Sequence, residues 1–121
     1  MTVTLYYNPN CSNARAALQT LRACGIEPKI VDYLKTPPGR NELARLAQGL
    51  QQTAGASWPG LVAGMLRAKE PLFAELGLAG ASDDALLDAV AAHPLLLNRP
   101  IVETPKGTKL CRPGKTVREI L

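Results

Sequence analysis

Residues Thr2 to Tyr7 (Thr-Val-Thr-Leu-Tyr-Tyr) are β-branched and aromatic, and they predict a strand. Asn8-Pro9 interrupts it as a turn. From Cys11 the apolar residues Ala14, Ala17, Leu18, Leu21 and Cys24 recur at helical spacing, with Asn13, Arg15, Gln19 and Arg22 on the other face. Gly25 supplies a helix stop. Pro28 to Tyr33 predicts a second strand. Strand, helix and strand within this length make a βαβ unit, which favours a parallel pair joined by a right-handed crossover.

Thr36-Pro37-Pro38 reads as a helix start, with Thr36 as cap and proline at the first helical position. Leu43, Leu46, Ala47 and Leu50 give that helix its buried face. Gln51 to Gly60 is polar and small, and predicts a loop around Trp58. Helical pattern resumes near Leu61 to Arg67 and Glu70 to Leu76. Ser82 caps a further helix, Asp83 to Ala92, with acids in its first turn as the macrodipole prefers, and His93-Pro94 ends it. Pro100 to Thr104 and Thr108 to Cys111, joined by Pro105-Lys106-Gly107, carry a hairpin signature. Arg112-Pro113-Gly114 leads into a last helix bearing Val117, Ile120 and Leu121. The order is β-α-β, helical insertion at about residues 38–93, β-β-α. It predicts one α/β domain over residues 1–121, with a mixed four-stranded sheet in the thioredoxin-like arrangement.

A chain of 121 residues is long enough to bury a core without metals or disulfides. No stretch approaches the roughly 20 apolar residues that cross a membrane, and Met-Thr-Val-Thr-Leu has no signal-peptide pattern. Three cysteines at scattered spacing argue against a disulfide framework and for a reducing cytoplasm. The single histidine, His93, has no metal partner nearby in sequence. The formal charge of +4 gathers at the end of the chain. Arg99, Lys106, Lys109, Arg112, Lys115 and Arg118 face only Glu103 and Glu119 there. With no aromatic interleaving or recognition motif this does not read as a nucleic-acid face. A small anion is as good a partner, and a solvated basic face accounts for the charge equally well.

Cys11 falls between a turn and a helix. At a helix N-terminus, unpaired N–H groups and the positive dipole end favour the thiolate, lowering the thiol pKa by one to several units in typical cases. The same groups cradle an oxyanion. A buried, inert cysteine at a helix start is the competing reading. A two-cysteine redox motif needs cysteine at position 14, which is Ala14. Cys24 lies thirteen residues along the same helix, about 20 Å away, too far for a disulfide. Its place on the apolar stripe predicts a core residue, and Cys111 reads as structural. Cys11 is then a monothiol site relying on an external thiol.

The segments YYNPNCSNARAAL, YLKTPPGRNEL, LRAKEPLFAELGL, HPLLLNRPIV and GTKLCRP occur in this order. From Thr2 to about Leu121 the chain resembles the glutaredoxin-coupled arsenate reductases, of the ArsC/Spx-like group. That resemblance implies a thioredoxin-like fold with a helical insertion. It also implies an enzyme that reduces arsenate to arsenite, with glutathione as co-substrate, glutaredoxin as partner and no bound cofactor. Cys11 matches the family's nucleophile, and Arg67, Arg99 and Arg112 match its three oxyanion-binding arginines. Three guanidiniums suit a tetrahedral oxyanion through forked, charge-assisted hydrogen bonds. Asn8 and Pro100 are supporting residues, and Pro100 resembles the cis-proline beside thioredoxin-like active sites.

Two positions depart from the pattern. Tyr7 stands where the well-studied reductases carry histidine, and Ala14 where they carry serine. Cys11 then depends more on the helix terminus and the arginines, and its thiol pKa is expected to be less depressed than theirs. The expected reaction is attack of the Cys11 thiolate on arsenic with loss of water. Glutathione reduces the adduct, and a glutathionylated thiol is later cleared by glutaredoxin. A glutathione-dependent thiol–disulfide reductase is the second reading, with the arginines on a glutathione carboxylate. A redox-regulatory binding protein is the third, although Ala14 removes the Cys-X-X-Cys switch of Spx-type regulators. No nucleic-acid or membrane partner is expected, and the small size favours a monomer.

Overall fold

The structure is a computed structural model, and it describes residues 2–121. The chain divides into two compact units, one formed by the segment up to Thr36 with Arg99–Leu121, the other by Pro37–Asn98.

In the first unit, four strands make a mixed sheet of order β2-β1-β3-β4: β1 (Thr4–Tyr7), β2 (Lys29–Asp32), β3 (Ile101–Thr104) and β4 (Gly107–Leu110). β1 pairs in parallel with β2, Thr4 beside Lys29 through Tyr7 beside Asp32. It pairs antiparallel with β3, and β3 antiparallel with β4. This is the thioredoxin-like arrangement that the element order predicts. α1 (Ser12–Ala23) is the crossover between β1 and β2. Its buried stripe of Ala17 and Leu21 joins Val3, Leu5, Val102, Cys111, Val117 and Ile120 in one apolar core. Each large side chain buried there contributes roughly 1.5–3 kcal/mol.

α1 ends in a Schellman closure, the N–H of Ile26 donating to the carbonyl of Leu21 at 2.9 Å and that of Gly25 to Arg22 at 3.0 Å. Gly25 takes φ +77°, a conformation that an L side chain resists. This corrects the expectation for Cys24. It is the residue that closes the helix rather than a member of its apolar stripe, and it is exposed. Cys111, by contrast, is fully buried as expected.

The last segment, Gly114–Ile120, is a 3-10 helix rather than an α-helix. Its buried residues, Gly114, Val117 and Ile120, are spaced by three. At three residues per turn they line up on one face. Gly114 is required by packing, since a Cβ there would meet the carbonyl oxygen of Asn13 and lie 2.6 Å from the Ala17 nitrogen.

In the second unit, α2 (Arg40–Ala54) packs against α4 (Asp83–Ala92), with the short α3 (Pro71–Glu75) between them in sequence. Leu43, Leu46, Ala47 and Leu50 form the buried face of α2, as their spacing predicts. Arg40 ties the two helices, donating to Asp84 at 2.7 Å and Asp88 at 2.8 Å. Two boundaries differ from expectation. Thr36 does not cap α2, whose N-cap is Gly39. Thr36 and Pro37 each precede a proline and are driven to extended backbone, so helical dihedrals begin only at Arg40. The loop expected from Gln51 starts later, because α2 continues through Ala54. Glutamine sustains a helix well, and polarity there marks only the solvent face. Ser82 caps α4 through a 3.2 Å bond from the Ala85 N–H. Among the described residues, no helix is long and apolar enough to cross a membrane.

Candidate active site

β1 delivers the chain into a tight turn that ends on Cys11. The turn is closed by Asn8 twice. Its side-chain Oδ1 accepts from the Asn10 N–H at 2.9 Å, and its carbonyl accepts from the Cys11 N–H at 3.0 Å. Asparagine favours such local closure because its side chain mimics a backbone turn. Arg15 holds the same turn from the helix side, its Nη1–H donating to the Pro9 carbonyl at 2.8 Å.

Cys11 is the N-cap of α1. Its backbone is extended (φ −97°, ψ 120°), and its carbonyl accepts the first helical bond from the Arg15 N–H at 3.0 Å. In this position an oxygen side chain would satisfy the second and third helical N–H groups. Here a sulfur occupies it. Burial opposes charge on the sulfur of Cys11, a residue only 6% exposed. The backbone N–H groups of Ala14 and Asn13, then the charges of Arg99 and Arg112, outweigh burial and hold the thiol below its ordinary value. Charge on this sulfur is thus favoured by the terminus of its own helix.

The hairpin brings the two arginines to this end of the sheet. Ile101 pairs with Leu110, so the same register, carried two residues further, sets Arg99 opposite Arg112. The Cys111 N–H donates to the Pro100 carbonyl at 2.9 Å, and Arg112 donates from Nη1 to the Arg99 carbonyl at 2.8 Å. The Arg99–Pro100 peptide bond is cis, in keeping with the resemblance of Pro100, and so is Arg112–Pro113, which the sequence did not predict. Two guanidiniums so placed repel one another, and a thiolate or a bound oxyanion relieves that repulsion.

Cys11, Asn8, Arg99, Pro100 and Arg112 therefore come together within the sheet unit. Arg67 belongs to the helical unit. There its N–H donates to the Leu96 carbonyl at 2.7 Å, and its guanidinium pairs with Glu70 at 3.1 Å. Arg15 is the residue that the sequence reading passed over as an exposed helix arginine. Its signal was its place one turn after Cys11, from which a helical side chain leans back over the preceding turn.

The other cysteines take no part. Cys111 is walled into the core, where burial pushes its thiol up to about 12. Cys24 sits at the far end of α1, with an Arg118 N–H 3.5 Å from its sulfur. Among the described residues no group of three His, Cys, Asp or Glu side chains is placed to hold a metal ion.

A single buried thiol, held below its ordinary value at a helix N-terminus with the charges of two arginines acting on it, sits on a thioredoxin-like sheet, an arrangement suited to thiol chemistry on anions. The chain belongs to the ArsC family, whose sequence model matches residues 6–120. It is 47% identical to the arsenate reductase of Rhizobium meliloti (strain 1021), over 100% of this chain and 82% of that one. It is 46% identical to the arsenate reductase of Escherichia coli (strain K12), over 98% and 80%. Among solved structures, an arsenate reductase from Vibrio cholerae superposes with a TM-score of 0.90 at 42% identity, covering 100% of this chain and 98% of that one.

Proposed function

We propose that this protein reduces arsenate to arsenite, with Cys11 as nucleophile, glutathione as co-substrate and glutaredoxin as the partner that restores the thiol. The observation that carries this reading is the Cys11 thiol, held below its ordinary value by helix N–H groups and by Arg99 and Arg112. The likeness to named arsenate reductases supports the choice of substrate.

Arsenate approaches as an anion, and so does the nucleophile. Arg99 and Arg112 offset their repulsion and stabilise the charge that builds on the arsenate oxygens. Arg67 is proposed as a third oxyanion ligand on its motif alone. The Cys11 sulfur bonds to arsenic, and a protonated arsenate oxygen leaves as water. A glutathione thiolate then attacks the Cys11 sulfur. The S–S bond forms, the As–S electron pair stays on arsenic, and arsenite departs. Two thiols have given the two electrons, and Cys11 is left as a mixed disulfide with glutathione. A glutaredoxin thiolate attacks the glutathione sulfur and frees the Cys11 thiolate. Asn8 and Pro100 hold the turn and the strand end around the sulfur. The reading includes a cytoplasmic location, in keeping with glutathione as reductant, and a monomer, in keeping with the small size.

Steady-state arsenate reduction, with glutathione and with or without glutaredoxin, tests the proposal. Arsenite formation that is lost in Cys11→Ser supports it, and no arsenite under any thiol regime overturns it. The paired arginines would also hold a glutathione carboxylate. Turnover of a small mixed disulfide, in place of arsenate, would therefore assign the site to thiol–disulfide reduction.

A further inference from the structure

The charge of this protein is divided between its units. Of the ionisable side chains, the sheet unit carries ten Lys and Arg against four Asp and Glu, a formal +6, while the helical unit carries −2. The excess is concentrated further. Residues 2–26 contain no acid, and neither do residues 104–118. The fold lays these two acid-free stretches against each other, because the 3-10 segment Gly114–Ile120 packs along α1. Gly114 meets the first turns of α1 at Asn13 and Ala17, and Arg118 reaches its end at Cys24.

Arg15, Arg112, Lys115 and Arg118 are all exposed on these elements. Of the acids of the sheet unit, Asp32 and Glu103 lie on strands and Glu27 pairs with Arg22, while Glu119, beside Arg118 on the 3-10 segment, pairs with Lys109 of β4. A positive face therefore starts at the thiol and runs down the outer side of the α1 pair. Binding one small oxyanion requires only the cations at its mouth.

We infer that this face docks an acidic thiol–disulfide reductase, steering its thiolate to the Cys11–glutathione disulfide. This rests on the glutathione chemistry proposed above. The step itself is an exchange. The reductase thiolate bonds to the glutathione sulfur, the Cys11–S bond breaks, and Cys11 leaves as the thiolate that its helix terminus stabilises. Charge complementarity of this kind raises the encounter rate and is screened by salt. A nucleic acid is the alternative occupant of a basic face, but this one begins at a reactive sulfur and no aromatic interleaving marks its sequence.

The test uses the full chain carrying Cys24→Ser, so that the exposed Cys24 forms no second adduct. Cys11 is converted to its mixed disulfide with glutathione disulfide, and its release is followed by mass spectrometry. The probes are an acidic glutaredoxin and dithiothreitol. The glutaredoxin rate constant is expected to fall about tenfold as salt rises from about 0.01 M to about 0.3 M, with the dithiothreitol rate changing less than about twofold. K115E/R118E is expected to lower the glutaredoxin rate about three- to tenfold at low salt only, leaving the KM for arsenate and the dithiothreitol rate in place. A glutaredoxin rate that follows dithiothreitol in salt and in the variant overturns the docking face. So does binding of a labelled DNA duplex that the variant alone abolishes. Absence of arsenate turnover with every thiol would instead overturn the functional reading, and the two failures are scored in separate assays.

Discussion

Arg112 donates a hydrogen bond from Nη1 to the main-chain carbonyl of Arg99, 2.8 Å away, across the open end of the β3–β4 hairpin. One arginine thereby fixes the backbone of the other, and both charges act on the Cys11 sulfur. Replacing Arg99 by Gln removes one charge. Replacing Arg112 by Gln removes a charge and loosens the clamp as well. Each loss disfavours the thiolate, so the pH midpoint of Cys11 alkylation should rise in either variant. R112K should keep most of the midpoint and still lose turnover, because an ammonium lacks the planar fork. Iodoacetamide labelling against pH, with turnover measured alongside, checks both statements.

Ala14 contributes its N–H to the Cys11 sulfur and nothing more, since its side chain is a buried methyl. Ala14→Ser places a hydroxyl donor at the third helical position, and the alkylation midpoint should move down. An unmoved midpoint would mean that the hydroxyl turns away from the sulfur, and would leave the backbone amides as the whole of the helix contribution.

Arg15 braces the turn by its bond to the Pro9 carbonyl but is not among the charges acting on the thiol. Arg15→Ala should therefore lower kcat for arsenate about three- to tenfold, equivalent to roughly 0.7–1.4 kcal/mol of transition-state positioning, at an unchanged alkylation midpoint. A shifted midpoint would show that Arg15 acts by charge instead. R15K, which still donates to a carbonyl, should recover part of the loss.

Gly114→Ala forces a methyl onto the Asn13 carbonyl and the Ala17 nitrogen. Neither is the yielding end of a side chain, so the cost should be about 1–3 kcal/mol by denaturant unfolding. The displaced first turn of α1 should also slow Cys11 alkylation at fixed pH.

The two inward cysteines oppose each other in pH. Cys11 titrates below its unfolded value, so the folded state has lost a proton that the unfolded state keeps, and stability rises with pH through that interval. Cys111 titrates at about 12, so above the ordinary thiol range the unfolded state loses a proton that the folded state keeps. Stability then falls with pH by up to about 1.4 kcal/mol per unit. Urea unfolding of the parent and Cys111→Ala at about pH 8 and about pH 10 should show a smaller alkaline loss in the variant. Cys24→Ser, at an exposed helix end, should change stability by less than about 0.5 kcal/mol.

Much of this site was legible because its parts obey local rules. The strand, turn and amphipathic helix around Cys11 follow from alternation and a 3.6 period. The hairpin was legible too, but its expected turn, Pro105-Lys106-Gly107, is one residue too long: Gly107 already belongs to β4 opposite Thr104, and that register, counted outward, sets Arg99 against Arg112. What failed was decided at element ends. Consecutive prolines delayed α2 to Arg40, and the Schellman closure at Gly25 turned Cys24 outward, although the helical period reaches it. The 3-10 geometry of Gly114–Ile120 was hidden because a spacing of three suits both helix types over so short a run. Arg15 had no signal of its own beyond one helical turn of separation from Cys11. Arg67 was singled out only through its motif, and no local pattern marks it.

The sheet unit is assembled from the two ends of the chain, residues up to Thr36 and from Arg99 onward. During synthesis Cys11 leaves the ribosome long before Arg99 and Arg112 are translated. Until they arrive, β1 lacks its β3 partner, and the sulfur has neither cation nor a docked α1 to stabilise its charge. The lowered thiol of the folded protein therefore draws on residues 99–121, which must reach the sheet before Arg99 and Arg112 can act on the Cys11 sulfur.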